Sequence, residues 1–119
     1  MDIKETTFVL AVHNLESSIK YYVERLGFKH GVSPPGWSFP NRDSFQLMIW
    51  ECKNTVAPSE LEDHSNFAYI SVENADHLYN EFTDNDVVFT KSLRAEPWGM
   101  KEFGISTIDD HRIMFGQDV

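Results

Sequence analysis

One junction occurs twice in this chain, and it constrains the fold more than any other feature. Val12-His13-Asn14 and Val72-Glu73-Asn74 lie 60 residues apart. Each follows a short apolar run, Phe8–Val12 or Phe67–Val72, with the β-favouring composition of a strand. Each opens a stretch with helical spacing. Leu15, Ile19, Tyr22, Val23 and Leu26 form one apolar stripe, and Ala75, Leu78, Tyr79 and Phe82 form the other. Asn14 and Asn74 stand at the N-cap, where a side-chain oxygen accepts an amide that the first helical turn leaves unpaired. Gly27 supplies a left-handed stop to the first helix, and Asn85-Asp86 can supply it to the second.

Short strands follow each helix. In the first half these are Phe28–Val32, an edge segment at Trp37–Phe39, and Phe45–Trp50. In the second they are Val87–Thr90, Lys101–Thr107 and Arg112–Gly116. Turn-forming residues separate them: Ser33-Pro34-Pro35-Gly36, Glu96-Pro97-Trp98-Gly99 and Asp109-Asp110-His111. Lys53–Ser65 is polar, holds Pro58 and reads as a linker with a helical turn at Ser59–Asp63. The repeat therefore predicts two β-α-β-β-β modules, about 5–52 and 66–118, sharing one domain of 119 residues. The helices are expected near 15–26 and 75–84.

Composition narrows the partners. Ten Lys and Arg against 19 Asp and Glu give a net charge of −9, a field that repels phosphate backbones and anionic membranes. It attracts cations, although an acidic surface also serves solubility alone. Cys52 is the single cysteine, so the chain forms no internal disulfide and has no paired-cysteine metal motif. As a nucleophile Cys52 is less expected than as an inert thiol. Met1-Asp2-Ile3-Lys4-Glu5 is charged and unlike a signal peptide, and no apolar run reaches the length of a membrane span. A cytoplasmic protein without nucleic-acid or membrane partners is expected. No phosphate-binding loop, dinucleotide fingerprint or Ser/His/Asp order is present. His13, His30, His64, His77 and His111 have no chelating spacing, and Asp109-Asp110 is read as turn chemistry rather than a catalytic pair.

With these elements in place, the chain resembles the glyoxalase/bleomycin resistance/dioxygenase superfamily, also called vicinal oxygen chelate proteins. The segment FVLAVHNLESSIKYYVERLGFKHG is similar to the family's opening, with Asn14 in place of an Asp and Tyr21-Tyr22 in place of Phe-Tyr. SVENADHLYNEF and EPWGMKEFGISTIDDHRIMFGQ resemble its second half. The resemblance implies an α+β fold in which two βαβββ modules form an incompletely closed, eight-stranded, barrel-like mixed sheet with helices outside. It also implies a concave ligand cavity and a homodimer. Enzymes of the family hold a divalent metal at four strand positions, which the motifs carry onto Thr7, Gln46, Phe67 and Met114. One hydroxyl, one amide, a phenyl ring and a thioether are a poor donor set for Zn²⁺, Mn²⁺ or Mg²⁺. No metal and no other cofactor is therefore expected. His111 matches the family's turn residue, a backbone hydrogen-bonder.

If the carried-over positions face the cavity, strand alternation brings Gln46, Met48 and Trp50 to it, with Phe67, Tyr69 and Ser71, and with Arg112 and Met114. Trp37 and Trp98 lie on adjoining loops that can close it. Large apolar walls with a few polar groups suit a small-molecule site, although the same aromatics can also fill the cavity as core. Three functions follow from the resemblance. The first is a metal-free binding protein that sequesters a small molecule, cationic and aromatic, of the bleomycin type. The second is a metal-dependent lyase, isomerase, dioxygenase or thiol transferase. The third is a structural or regulatory dimer with a filled cavity.

Overall fold

The chain's secondary structure is set by two nearly identical helix frames. A computed structural model describes residues 5–31, 33–54 and 66–119. The first strand, β1 (Thr7–Val12), leads into α1 (Leu15–Glu24), and β5 (Asn66–Ser71) leads into α2 (Ala75–Asp84). Asn14 and Asn74 are extended, with φ of −138° and −141°. The Ser17 N–H donates to Asn14 Oδ1 at 2.9 Å, and the His77 N–H to Asn74 Oδ1 at 3.0 Å. Gly27 (φ 73°) and Asp86 (φ 58°) take the left-handed turn. The chain then doubles back, with the Phe28 N–H on the Tyr22 carbonyl at 2.9 Å and the Val87 N–H on the Phe82 carbonyl at 3.0 Å.

Between α1 and the linker lie β2 (Trp37–Ser38), β3 (Asn41–Arg42) and β4 (Phe45–Glu51). After α2 come β6 (Val88–Ala95), β7 (Met100–Ser106) and β8 (Arg112–Asp118). The eight strands form two open, mixed sheets of four. In the first, β1 pairs in parallel with β4, and β2 and β3 pair antiparallel to β4. In the second the order is β5-β8-β7-β6, with only β5–β8 parallel. The chain is thus α+β, built as two βαβββ units, and it divides into compact units Met1–Thr55 and Val56–Val119. Among the described residues no helix is long and apolar enough to cross a membrane.

Each helix packs on one face of its own sheet. Under α1 lie Leu10, Val12, Leu47 and Ile49, all buried. The rings of Tyr22, Phe28 and Phe45 continue this core at centroid separations of 5.3 and 5.4 Å. Under α2, Phe82 meets Phe103 and Phe115 at 6.1 and 5.5 Å, and the last two rings stack at 5.2 Å. Fully burying each such ring contributes about 1.5–3 kcal/mol.

Several sequence expectations need correction. Phe28–Val32 is not a strand among its described residues; Lys29 makes one isolated bridge to Asn41. Phe28 instead turns inward, and Pro34 and Pro35 have no amide to donate to a ladder. The missing strand is Asn41–Arg42, joined to β4 by a two-residue turn in which Asp43 has φ 52°. α1 ends at Glu24 rather than 26, and its buried stripe runs through Ser18, Tyr21 and Tyr22, leaving Val23 36% exposed. β6 continues through polar residues to Ala95 with two register shifts. Residues 55–65, including the expected helical turn at Ser59–Asp63, lie outside the described residues, as do Val32 and Met1–Lys4.

The matched caps give a direct test. Asn14→Ala and Asn74→Ala are each expected to lower unfolding free energy by about 1 kcal/mol, because each leaves an amide of the first turn unpaired. Urea denaturation followed by circular dichroism measures the loss. A change below about 0.3 kcal/mol at either site would show that its cap does not hold the helix.

Candidate functional site

Because Leu47 and Ile49 point under α1, alternation sends Gln46, Met48 and Trp50 to the opposite face of the first sheet. The ladder places Thr7 beside Gln46, Val9 beside Met48, and Ala11 and Trp37 beside Trp50. Trp37 is a strand residue rather than a loop residue. Its ring stacks on Trp50 at 5.5 Å and 15°. Val9 is 59% exposed and Trp50 42%, so this face carries large apolar surface in contact with solvent. The Gln46 amide donates to Glu5 Oε2 at 3.2 Å, a partner that sequence reading missed because Glu5 precedes the apolar run.

On the second sheet, Phe103, Ile105, Ile113 and Phe115 lie under α2, and Tyr69, Met114, Glu102 and Arg112 occupy the other face. Phe67 falls at a bulge between Asn66 and Ala68, out of register with Tyr69. It packs edge-on against the His111 ring at 5.9 Å. The His111 backbone does bond within its turn: its N–H donates to Thr107 Oγ1 at 3.1 Å, and its carbonyl accepts the Thr107 N–H at 2.9 Å. Asp110 takes φ 61° and accepts from Ser106 Oγ at 3.2 Å, consistent with turn chemistry. His13, His30 and His77 are exposed, and Cys52 is a partly buried free thiol.

A buried carboxylate organises the second face. Glu102 is 4% exposed. It accepts the Tyr69 hydroxyl at 2.6 Å and Lys91 Nζ at 2.7 Å, and Trp98 also hydrogen-bonds to it. Lys91 Nζ also sits 5.4 Å from the Trp98 ring centroid and 3.6 Å from Glu96 Oε1. Arg94 Nε is ion-paired with the same Glu96 oxygen. Burial alone would push the Glu102 carboxyl up. The hydrogen bonds from Lys91, Tyr69 and Trp98, with the Lys91 charge, outweigh burial and hold it below the usual carboxylate range. The Tyr69 phenol is pushed up, by burial first and then by the hydrogen bond to and charge of Glu102. Gly116 makes the arrangement possible, because a Cβ there would lie 1.8 Å from the Tyr69 hydroxyl.

The helix caps also align the two units. Residues at the C-terminal ends of the parallel partner strands reach the first amides of the helices. Leu15 N–H donates to Glu51 Oε1 at 3.1 Å, and Ala75 N–H to Gln117 Oε1 at 2.9 Å. This equivalence, with Val9 opposite Met48 and Tyr69 opposite Met114, makes Met48 the counterpart of Met114. Gln46 is then the counterpart of Arg112. The carried-over set of Thr7, Gln46, Phe67 and Met114 therefore mixes two rows of the repeat. Replacing Gln46 by Met48 adds a second thioether, and in the set as carried the Gln46 amide is turned to Glu5. Neither set fits a hard divalent ion. Among the described residues, no three His, Cys, Asp or Glu side chains gather as a metal-binding group.

The Glu102 network predicts a pH-dependent stability. A carboxyl held low in the folded state contributes stability above its unfolded value, about 4.3, which is lost as pH falls through the folded value. Glu102→Gln should cost about 1–3 kcal/mol at pH 7, where it takes from Lys91 the nearer of its two carboxylates and leaves only Glu96. That difference should shrink when both proteins are unfolded in urea at about pH 3. A difference independent of pH would contradict the charged network.

The model of the Glyoxalase/Bleomycin resistance protein/Dioxygenase superfamily matches residues 6–115. No curated protein matches the chain in sequence. Among solved structures, TioX from Micromonospora sp. ML1 superimposes with a TM-score of 0.79 at 15% identity, covering 98% of this chain and 99% of that one. The bleomycin-binding protein from bleomycin-producing Streptomyces verticillus, complexed with copper(II)-bleomycin, gives 0.74 at 18% identity over 97% and 96%. A bleomycin resistance determinant encoded on the transposon Tn5 gives 0.75 at 17% identity over 98% of both chains. At these identities the structural likenesses speak for the fold, and the family match speaks for membership. From the repeated βαβββ units and a family match over almost its whole length, the chain belongs to the Glyoxalase/Bleomycin resistance protein/Dioxygenase superfamily.

Proposed function

We propose that this protein is a metal-free, small-molecule-binding member of its superfamily that sequesters a planar, cationic aromatic compound of the bleomycin type. The observation that carries the reading is the Trp37–Trp50 stack on the face of the first sheet turned away from α1. There Trp50 remains 42% exposed, on a face that also carries an exposed Val9. Sequestration needs burial of a flat ligand and no bond-making. A cation over an indole face gains about 0.5–2 kcal/mol, and the protein already uses this contact where Lys91 lies over Trp98. That internal cation already occupies a face of Trp98, whereas the ring stacked on Trp50 is the neutral Trp37, so Trp50 is the stronger candidate for contact with a cationic ligand. The net charge of −9 adds long-range attraction. Among the solved structures that share the fold is a bleomycin-binding protein. The poor donor set at the carried-over positions favours binding over the metal-dependent reactions of the superfamily.

Homodimerisation in the cytoplasm completes the reading. β1 and β6 are end strands of their sheets, with Val9 and Val88 59% and 61% exposed. Pairing of two chains covers such edges. Sedimentation at micromolar concentration should return about twice the chain mass of 13.8 kDa. A mass of one chain would refute the dimer.

Tryptophan fluorescence titrated with bleomycin tests the ligand reading. Binding should saturate, weaken between low and high salt, and survive prior treatment with EDTA. Trp50→Ala should weaken it at least about tenfold, or about 1.4 kcal/mol. If neutral or anionic aromatics bind and cationic ones do not, the charge argument is wrong. If EDTA abolishes binding, the metal-free reading is wrong.

A further inference from the structure

The second sheet presents a different chemistry on the face away from its helix. Among the described residues that share this face, Lys91 is paired with Glu102 and Glu96, and Arg94 with Glu96. Arg112 is different. Its Nε is buried and meets no hydrogen-bond acceptor among the described residues. Buried donors are almost always paired, so an orphan of this kind points to a missing acceptor. The repeat offers a comparison for that acceptor. Arg112 occupies the row of β8 that Gln46 occupies in β4, and the Gln46 side chain is turned to a carboxylate, Glu5 Oε2, at 3.2 Å. A guanidinium presents a planar fork that fits a carboxylate with two parallel bonds, which an amide cannot do.

The surroundings suit a flat group. Met114, two residues along the same strand, lies down over Gly104, where a Cβ would come within 2.8 Å of its Sδ. Tyr69, opposite Met114 in the ladder, lies across Gly116 and is held there by Glu102. Two glycines thus let a thioether and a phenol lie down on the face that carries Arg112. Glu102 would repel an anion if bare, but Lys91 neutralises it at 2.7 Å.

We propose that this face of the second sheet is a binding site for a planar carboxylate, with Arg112 pairing with the carboxylate and Met114 and Tyr69 contacting the flat body of the ligand. The proposal rests on residues of the second unit alone, and the tryptophan reading on residues of the first, so either can fail without the other.

The probe is benzoate, added to ¹⁵N-labelled full-length protein while the Arg112 Nε–H resonance is followed. Benzamide, acetate and chloride serve as comparisons. Benzoate is expected to move the Arg112 signal saturably, and to bind at least about tenfold more tightly than benzamide or acetate, or about 1.4 kcal/mol. Arg112→Met should abolish benzoate binding, read by displacement of Tyr69 ring signals. Arg112→Lys should retain a weakened site, because it keeps the charge and loses the fork. Should Arg112→Met fail to fold, the wild-type titration decides. An Arg112 signal that does not move, that moves equally with chloride or benzamide, or benzoate binding that survives in Arg112→Met would overturn the assignment.

Discussion

The parallel pairing of the first and last strand of each unit is the constraint from which the rest follows. A parallel pair needs a crossover, and here the crossover is the helix, which packs on one face of the sheet it has just left. That face is thereby committed to core: Leu47 and Ile49 under α1, and Phe103 and Phe115 under α2. Strand alternation sends every second residue to a face that the unit's own helix does not cover. In a fold of two such units, these second faces are the ones left open to other chemistry. Their side chains do not pack under the helices.

The frame itself was largely legible in the sequence, and the reason is local. N-cap asparagines, left-handed residues at the helix ends and helical periodicity act over a few residues, and each appears in the chain as a short pattern. Asn14 and Asn74 bond the amides expected of them, and Gly27 and Asp86 turn the chain as expected. The misassigned strands have a common cause. Phe28–Val32 has strand-like composition, but its one well-placed ring is drawn into the α1 core by Tyr22 and Phe45. Asn41–Arg42 has no strand-like composition and pairs because the turn at Asp43 brings it beside β4. In both cases tertiary contact decided against propensity.

The side-chain chemistry of the faces was legible only as a list of residues. Alternation placed Gln46, Met48 and Trp50 together correctly, but partners distant in sequence carried no signal. Glu102 in β7 is a charged residue in an apolar run, and nothing local says that it is buried against Tyr69 from β5 and Lys91 from β6. The same holds for the reach of Glu51 and Gln117 to the helix amides, 36 and 42 residues away. These bonds also equate the rows of β4 and β8, which motif matching had offset by two residues on the same face.

With the rows equated, the two faces show how one frame supports two chemistries. The first unit has Val9 where the second has Tyr69, and Trp50 where the second has Gly116. Each unit places one large ring on this part of its face, on opposite members of the parallel strand pair. A ring at both positions would force Tyr69 out of its place in the second unit, since any Cβ at 116 meets the Tyr69 hydroxyl at 1.8 Å. In the first unit the ring stays on β4, stacks on Trp37 and remains apolar. In the second it moves to β5 and reaches across the glycine to a buried carboxylate, which brings Lys91 and Trp98 with it. The exchange of one large and one small residue thus converts an apolar aromatic face into a polar, internally neutralised one. Arg112 is left there as the cation whose Nε the network does not serve.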